Sequence, residues 1–292
     1  MIITVASGKG GTGKTTVAVN LGLALAREGQ LPVHIIDCDV EEPNAALFLH
    51  PTLKESEEVG QLIPEVNLDL CTFCGRCAEV CQYSAIAVVA QRVLVFPELC
   101  HGCGSCALNC PEGAISEKLD VMGVLEIGHA GPIAFAQGRM NVGEAMAVPI
   151  IRQLKRRAIP EDHDGRVIIL DAPPGTSCPV VESMRGSDYV LMVTEPTPFG
   201  LHDLRLAVQV ARNELGLPVG VVINREGIGD EGVDAYCEEE GIPILMRIPL
   251  DRRIAEAYSE GIPMVEVLPE YREAFLALYR EIAQRVGMEV TP

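Results

Sequence analysis

Two groups of residues in this chain have the types and spacing to do chemistry. The first is residues 8–16, GKGGTGKTT. Its glycines let successive backbone N–H groups curl around phosphate oxygens. A helix starting there would add the favourable end of its dipole. Lys14 would reach the β- and γ-phosphates of a nucleoside triphosphate, and the Thr15 hydroxyl would sit on Mg2+. Gly10, Gly11, Thr12, Gly13 and Thr16 complete the cradle. A glycine-rich turn that binds nothing has no need of a strand before it and a helix after it. Both patterns are present here.

The second group is cysteine. There are eleven, and eight fall within residues 71–110. Such density in a reducing compartment points to metal rather than disulfides. Cys71, Cys74, Cys77 and Cys81 give C-x2-C-x2-C-x3-C. Cys100, Cys103, Cys106 and Cys110 repeat it, followed by Pro111. This is the bacterial two-cluster iron–sulfur pattern, in which the fourth cysteine of each run ligates the other cluster. One [4Fe–4S] cluster would take Cys71, Cys74, Cys77 and Cys110. The other would take Cys81, Cys100, Cys103 and Cys106. Gln82 stands where the first run would usually have proline. The alternative is structural zinc, which favours paired C-x2-C knuckles. Three evenly spaced thiolates plus a fourth suit the corners of a cube better. With thiolate ligands only, both clusters would be low-potential one-electron carriers.

The elements that must position these groups are legible from periodicity. Residues 2–6 (IITVA) are a β-branched run ending just before the phosphate loop. Residues 14–28 have helical spacing, with Val17, Leu21 and Leu25 on one face. Residues 33–37 (VHIID) read as a buried strand, which gives a strand–helix–strand unit and a parallel sheet. Further strands are expected at 166–170, 189–193, 219–223 and 243–248. Helices are expected around Arg152, at 200–215, at 231–240 and at 269–286.

Between about 62 and 118 the βα alternation gives way to Cys, Gly and Pro turns. CTFCGRCAEVCQYSAIAV is echoed by CHGCGSCALNCPEGAISE 29 residues later. Each half is too small to fold alone, so metal must supply most of its stability. Removing the block leaves about 235 residues, a plausible size for one domain. The expected fold is α/β: a doubly wound, mostly parallel sheet of P-loop type over 1–61 and 119–292. Inserted into it is a small α+β ferredoxin-like domain over 62–118.

Composition narrows the partners. The net charge is −18, which disfavours nucleic acid and anionic lipid. It suits solubility, or an acidic surface that steers a basic protein. The first residues lack the basic start of a signal peptide. No stretch approaches the roughly 18 apolar residues of a membrane span. A cytoplasmic protein is expected.

The segments DCDVEEPN, DAPPG, VTEPTPFGLHDL and VVINR, with KGGTGKTT, resemble the MinD/ParA/Mrp/nitrogenase Fe-protein superfamily. They look most like archaeal and anaerobe MinD-type ATPases that carry an inserted ferredoxin. The resemblance covers nearly the whole chain, although residues 139–147 lack the Ser-Gly pair often found there. It implies ATP and Mg2+ as ligands and a homodimer closed over two nucleotides. Lys9 would then reach the partner's phosphates, much as an arginine finger does. Asp39 would orient or deprotonate the attacking water, and Asp171 would hold Mg2+ through water, with Asp39 and Thr15 around the same ion. Pro173, Pro174 and Gly175 would sense the γ-phosphate. Asn224, beside Arg225, would contact adenine; an ordinary turn asparagine with a left-handed backbone is the alternative.

Three cysteines lie outside the runs. Cys38 and Cys237 are expected to be small apolar core residues. Cys178 falls seven residues after Asp171, an offset at which the Fe protein carries a bridging-cluster ligand. It is either a labile metal site shared between protomers or a packed thiol. The combined expectation is an ATPase whose nucleotide-driven dimer switch serves electron transfer or metallocluster assembly on a partner protein. The rivals are a positioning ATPase and a passive electron carrier with a structural nucleotide. The C-terminal helix lacks the basic face that membrane positioning needs.

Overall fold

The structure, a computed structural model, describes residues 1–28, 31–162 and 165–288. In chain order the first elements are β1 (Ile2–Ala6), α1 (Lys14–Glu28), β2 (Val33–Asp37), α2 (Ala46–Leu49) and β3 (Thr52–Val66). Then come α3 (Arg76–Glu79), β4 (Ile86–Val89), β5 (Arg92–Val95), α4 (Ser105–Leu108), β6 (Ile115–Ala130) and β7 (Ile133–Met140). The chain continues with α5 (Val148–Ala158), β8 (Val167–Asp171), α6 (Cys178–Met184), β9 (Tyr189–Thr194), α7 (Pro198–Val208) and β10 (Val219–Glu226). It ends with α8 (Gly232–Glu239), β11 (Ile244–Pro249), α9 (Arg252–Ser259), α10 (Met264–Val267) and α11 (Glu270–Arg285).

Nine strands form one sheet in the order β11-β10-β9-β1-β8-β2-β7-β6-β3. From β11 to β7 all neighbours are parallel. The central strands β1, β8 and β9 are buried along their whole length. That is why they read as unbroken apolar runs: helices cover both faces of a parallel sheet. On one face α1 and α11 bury Val17, Leu21, Phe275, Tyr279 and Ile282 over the strands. On the other, α5 buries Ile150, Ile151 and Leu154 against Ile36, Ile168 and Leu170. α6, α7 and α8 close that second face beside it.

The β7-β6-β3 edge departs from the expected βα alternation. β6 runs antiparallel to β7, and β3 antiparallel to β6 over Thr52–Val66. The strands bulge at Leu53/Glu55 and at Val59/Gly60. Close backbone approach there requires glycine: a Cβ on Gly60 would stand 1.7 Å from the Asp120 carbonyl oxygen, and one on Gly128 2.1 Å from that of Thr52. Beyond Gly60 the two strands leave the body as a ribbon. The expected domain boundaries fall inside these strands, with Leu62 opposite Leu119.

The ribbon carries the cysteine-rich segment, with α3, the β4–β5 hairpin and α4 folded between its arms. The 29-residue repeat is reproduced in the backbone. Left-handed conformations occur at Phe73 and Gly102, at Gly75 and Gly104, and at Ser84 and Gly113.

α5 ties this arm to the body. Gln153 Nε2 donates to the Gly60 carbonyl at 2.6 Å. On the same helix, Lys155 Nζ donates to the carbonyls of Glu182, Ser183 and Arg185 at the end of α6. Arg152 clamps the Glu182 carboxylate with two hydrogen bonds of 3.2 and 3.1 Å.

Because the bulge at Gly60 is set by backbone contact, Gly60→Ala should shift the ribbon's register. The expected cost is about 1–3 kcal/mol. Thermal unfolding would read it, with faster proteolysis of the arm; an unchanged midpoint would show that the ribbon tolerates a side chain there.

Candidate functional site

The phosphate loop joins the C-terminal end of β1 to α1. Gly11 and Gly13 take φ of 78° and 94°, values that glycine adopts freely. A Cβ on Gly13 would lie 2.4 Å from the Asn224 side chain. Lys14 is buried. The loop opens on a cleft of about 340 Å³ lined by Gly10, Gly11, Gly13, Lys14, Thr15 and Thr16. Asp39, Glu42, Asn44 and Pro174 form its far wall. Asn224, Arg225 and an apolar end at Ile248, Pro249, Leu250, Ile254 and Tyr258 complete it. The end from β11 and α9 carries no motif, and sequence reasoning missed it. Gly175, at φ 98°, turns the segment after β8 back so that its N–H reaches the Ser7 carbonyl at 3.0 Å.

Three carboxylates converge at the strand ends. Asp37 and Asp171 end β2 and β8 and are register partners. Asp39 lies two residues beyond the end of β2, in the loop. Asp37, which sequence reasoning passed over, fixes that loop. It accepts hydrogen bonds from the backbone N–H groups of Asp39, Asn44 and Ala45, all at 3.0 Å.

Asp171 Oδ2 accepts from the Thr15 hydroxyl at 2.6 Å. Its other oxygen, Oδ1, is buried and has no partner among the described residues. Burial pushes the Asp171 carboxyl up to about 7, with the Asp39 charge adding and Thr15 and Lys14 opposing. Burial likewise lifts Asp39 to about 6 against the pull of Lys14. Asp37 is raised well above the usual range by burial and then by the charge of Asp171. An orphaned buried carboxylate oxygen beside a threonine hydroxyl fits a hard divalent cation such as Mg2+, which takes oxygen ligands.

Asn224 lies within β10, and the left-handed residue is Arg225, at φ 54°. The turn-asparagine alternative therefore does not hold. Asn224 Nδ2 donates to the Thr12 carbonyl at 2.7 Å, and its Oδ1 accepts from the Arg225 N–H at 2.9 Å. Glu195, which lies in the segment VTEPTPFGLHDL but was given no role from sequence, joins Lys9 at 3.3 Å and Arg225 at 2.6 Å.

In the ribbon module the cysteines sort into two cavities. One is lined by Cys71, Cys74, Cys77 and Cys110, the other by Cys81, Cys100, Cys103 and Cys106. Neither set converges on a point: among the described residues no three His, Cys, Asp or Glu side chains stand close enough to share one ion. Backbone N–H groups point at sulfur in both halves, Ala85 to Cys81 and Ala114 to Cys110, each at 3.3 Å.

Cys38 and Cys237 are buried, and burial pushes their thiols up to about 12 and 11. Both are inert core residues. Cys178 is exposed at the first position of α6, so it is not a buried packing thiol.

A model of the CobQ/CobB/MinD/ParA nucleotide-binding domain matches residues 3–264. The chain belongs to that family. It is related to an uncharacterised protein of Methanocaldococcus jannaschii, 31% identical over 89% of this chain and 90% of that one. The iron–sulfur cluster carrier protein of Pyrococcus horikoshii is 26% identical over 97% and 86%. Among solved structures, the septum site-determining protein MinD of P. horikoshii, complexed with Mg-ADP, superposes with a TM-score of 0.59 at 22% identity. That match covers 98% of this chain and 97% of the other. The chain is thus a MinD-like P-loop ATPase related to iron–sulfur carriers. Among the described residues no helix is long and apolar enough to cross a membrane.

The raised carboxyls give a signed pH dependence. A group whose folded pKa exceeds its unfolded value stabilises the protein below the unfolded pKa and loses that contribution as pH rises through the folded one. The nucleotide- and metal-free protein should therefore lose stability from pH 5 to pH 8, through Asp39 and Asp171. Asp171→Asn should raise its thermal midpoint at pH 8 by about 2–4 °C, change little at pH 5, and flatten the slope between. An unaltered slope would assign the titration elsewhere.

Proposed function

We propose that this chain is an ATP-hydrolysing iron–sulfur protein in which a nucleotide-driven homodimer switch serves electron transfer or metallocluster assembly on a partner protein. The observation that carries the reading is the sorting of eight cysteines into two sets of four, each borrowing its fourth member from the other run. Two-cluster ferredoxins ligate in this crossed manner. Paired zinc knuckles would draw on neighbouring C-x2-C pairs instead. The two sets fit [4Fe–4S] groups, which would supply one-electron chemistry. Residues 62–118 are accordingly read as the ferredoxin domain.

In the cleft, Lys14 and the loop amides bind the β- and γ-phosphates, and Asn224 and Arg225 flank the adenine end. Thr15, Asp171 and Asp39 hold Mg2+, which supplies charge neutralisation at the phosphates. Asp39 orients a water for in-line attack on the γ-phosphorus and takes its proton as the bond to ADP breaks. Lys9 of each protomer stabilises the charge on the other's nucleotide. ATP closes the dimer and hydrolysis opens it.

The route from nucleotide to cysteine module runs from Asp171 through α6 to α5, and from Gln153 to the ribbon at Gly60. Cys178, exposed on the α6 side of this route, is read as a labile metal ligand shared by the two protomers. The partner is a protein rather than nucleic acid or membrane, and the setting is the cytoplasm.

The crossed assignment makes a sharp prediction. After anaerobic reconstitution, Cys81→Ser should weaken the cluster built mainly on the second run and leave that of Cys71, Cys74 and Cys77 intact, with iron content falling by up to about half. Paired loss of both signals would argue for a different ligand set. The function itself is tested by EPR-monitored redox titration with and without Mg-ATP. A fall of about 60 mV or more, a tenfold shift for a one-electron couple, supports nucleotide-gated reduction of a partner. Unchanged potentials favour metallocluster assembly, and a reconstituted protein without [4Fe–4S] signals would sink the reading.

A further inference from the structure

Glu195 is a buried charge to which the proposed mechanism assigns no role. It follows the last residue of β9, and its side chain is only 10% exposed. Its carboxylate takes Arg225 Nη1 on Oε1 at 2.6 Å and Lys9 Nζ on Oε2 at 3.3 Å. We infer that Glu195 is a positioning residue that holds Lys9 within its own protomer and releases it when the dimer closes on ATP. The inference rests on the proposed dimer, in which Lys9 acts on the partner's nucleotide.

Both ends of the contact are fixed in the backbone. The Lys9 carbonyl accepts from the Ser7 hydroxyl at 2.6 Å. The Glu195 carbonyl lies against Gly200, where a Cβ would stand 2.2 Å away, so the first turn of α7 pins it. What remains free is the Lys9 side chain, one-third exposed. It can swing without moving the loop that cradles the phosphates.

The second cation makes the exchange cheap. A buried carboxylate left without a partner is costly. When Lys9 leaves, Arg225 still neutralises Glu195. A triphosphate on the partner offers Lys9 a more highly charged acceptor than one shared carboxylate. Lys9 and Arg225 thus compete for Glu195, and that competition sets how readily Lys9 is released.

The test is the dimer dissociation constant at a saturating non-hydrolysable ATP analogue, with saturation checked for each variant because Arg225 lines the cleft. Glu195→Gln should tighten the dimer about two- to fivefold, the range of a partly exposed ion pair. Arg225→Gln leaves Glu195 to Lys9 alone and should loosen it. Adding Glu195→Gln to Arg225→Gln should then produce a larger gain than in the wild type. A structural role for Glu195 would instead weaken the dimer in every variant. No tightening, or a gain that vanishes without Arg225, overturns the inference. Should Glu195→Gln fail to fold, an unchanged or tighter Arg225→Gln dimer overturns it. A wild-type chain that stays monomeric with the analogue fails the proposed dimer itself, and this inference falls with it.

Discussion

The structure depends on a crowd of carboxylates at the ends of two adjacent parallel strands. Asp37 and Asp171 are register partners on β2 and β8, and Asp39 follows two residues later. Parallel strands end together, so their terminal side chains are brought to one edge, where open α/β sheets bind ligands. Burial there disfavours ionisation. Asp37 offsets part of its share by accepting three backbone hydrogen bonds, and in doing so sets the course of the Asp39 loop. Asp171 is offset only in part, by Thr15 and Lys14. The free protein therefore holds buried carboxyls whose ionised form is only partly compensated, and a bound cation would favour that form. Ligand binding has differential energy to spend on conformation because this imbalance is built in.

What was legible in the sequence follows from how strongly each element is specified locally. β1, α1, β2, β9 and β10 are apolar runs or clear helical faces, and each lies where periodicity places it. The β3 edge of the sheet was not legible. β3 opens TLKESEEV, and its first seven residues are exposed; a charged strand has no buried face to impose alternation. Such charges are how an edge strand resists pairing with other chains. The site was legible where a backbone motif defines it, as in the phosphate loop. It was opaque where single side chains from distant segments meet. Glu195 and Arg225 are separated by 30 residues; each lies in a segment that carries the resemblance, but nothing in either marks the two as a pair. The apolar end of the cleft, at Ile248, Pro249, Leu250, Ile254 and Tyr258, was equally hidden, because no motif marks it.

The cysteine module shows a different kind of specification. Its repeat sets three left-handed positions in each half. In the second half all three are glycine, whereas in the first Phe73 and Ser84 take φ of 56° and 54°. For such residues this backbone is unfavourable and persists only where the surroundings over-determine it. Cys74 and Cys103 stand between the first two of these positions in each half, and cluster bonds would be the strongest constraint available to so small a core. Such strain is what a fold held by the proposed clusters more than by apolar burial would tolerate. The module's own apolar core is slight: Ile63, Ala85 and Cys100, with Cys81 packed alongside.

The means of attachment bears on what the module can do. A flexible linker would let it sample many orientations, and a change in the nucleotide cleft would be lost along the way. Here the module instead grows out of β3 and β6, two members of the same sheet that ends in Asp37 and Asp171. Along the ribbon, the set of Cys81, Cys100, Cys103 and Cys106 shares a cavity with Leu62 and Pro64, nearer the body. The other set lies beyond it, with Val66 and Ile115. The two sets are thus in series, one proximal and one distal. Any displacement of α6 is felt by α5 through Lys155 and Arg152, and α5 holds the root of the ribbon through Gln153. Rigid elements joined by hydrogen bonds can transmit a small shift as a rotation of a long arm. The longer the arm beyond Gly60, the larger the displacement that a given rotation would produce at the distal set.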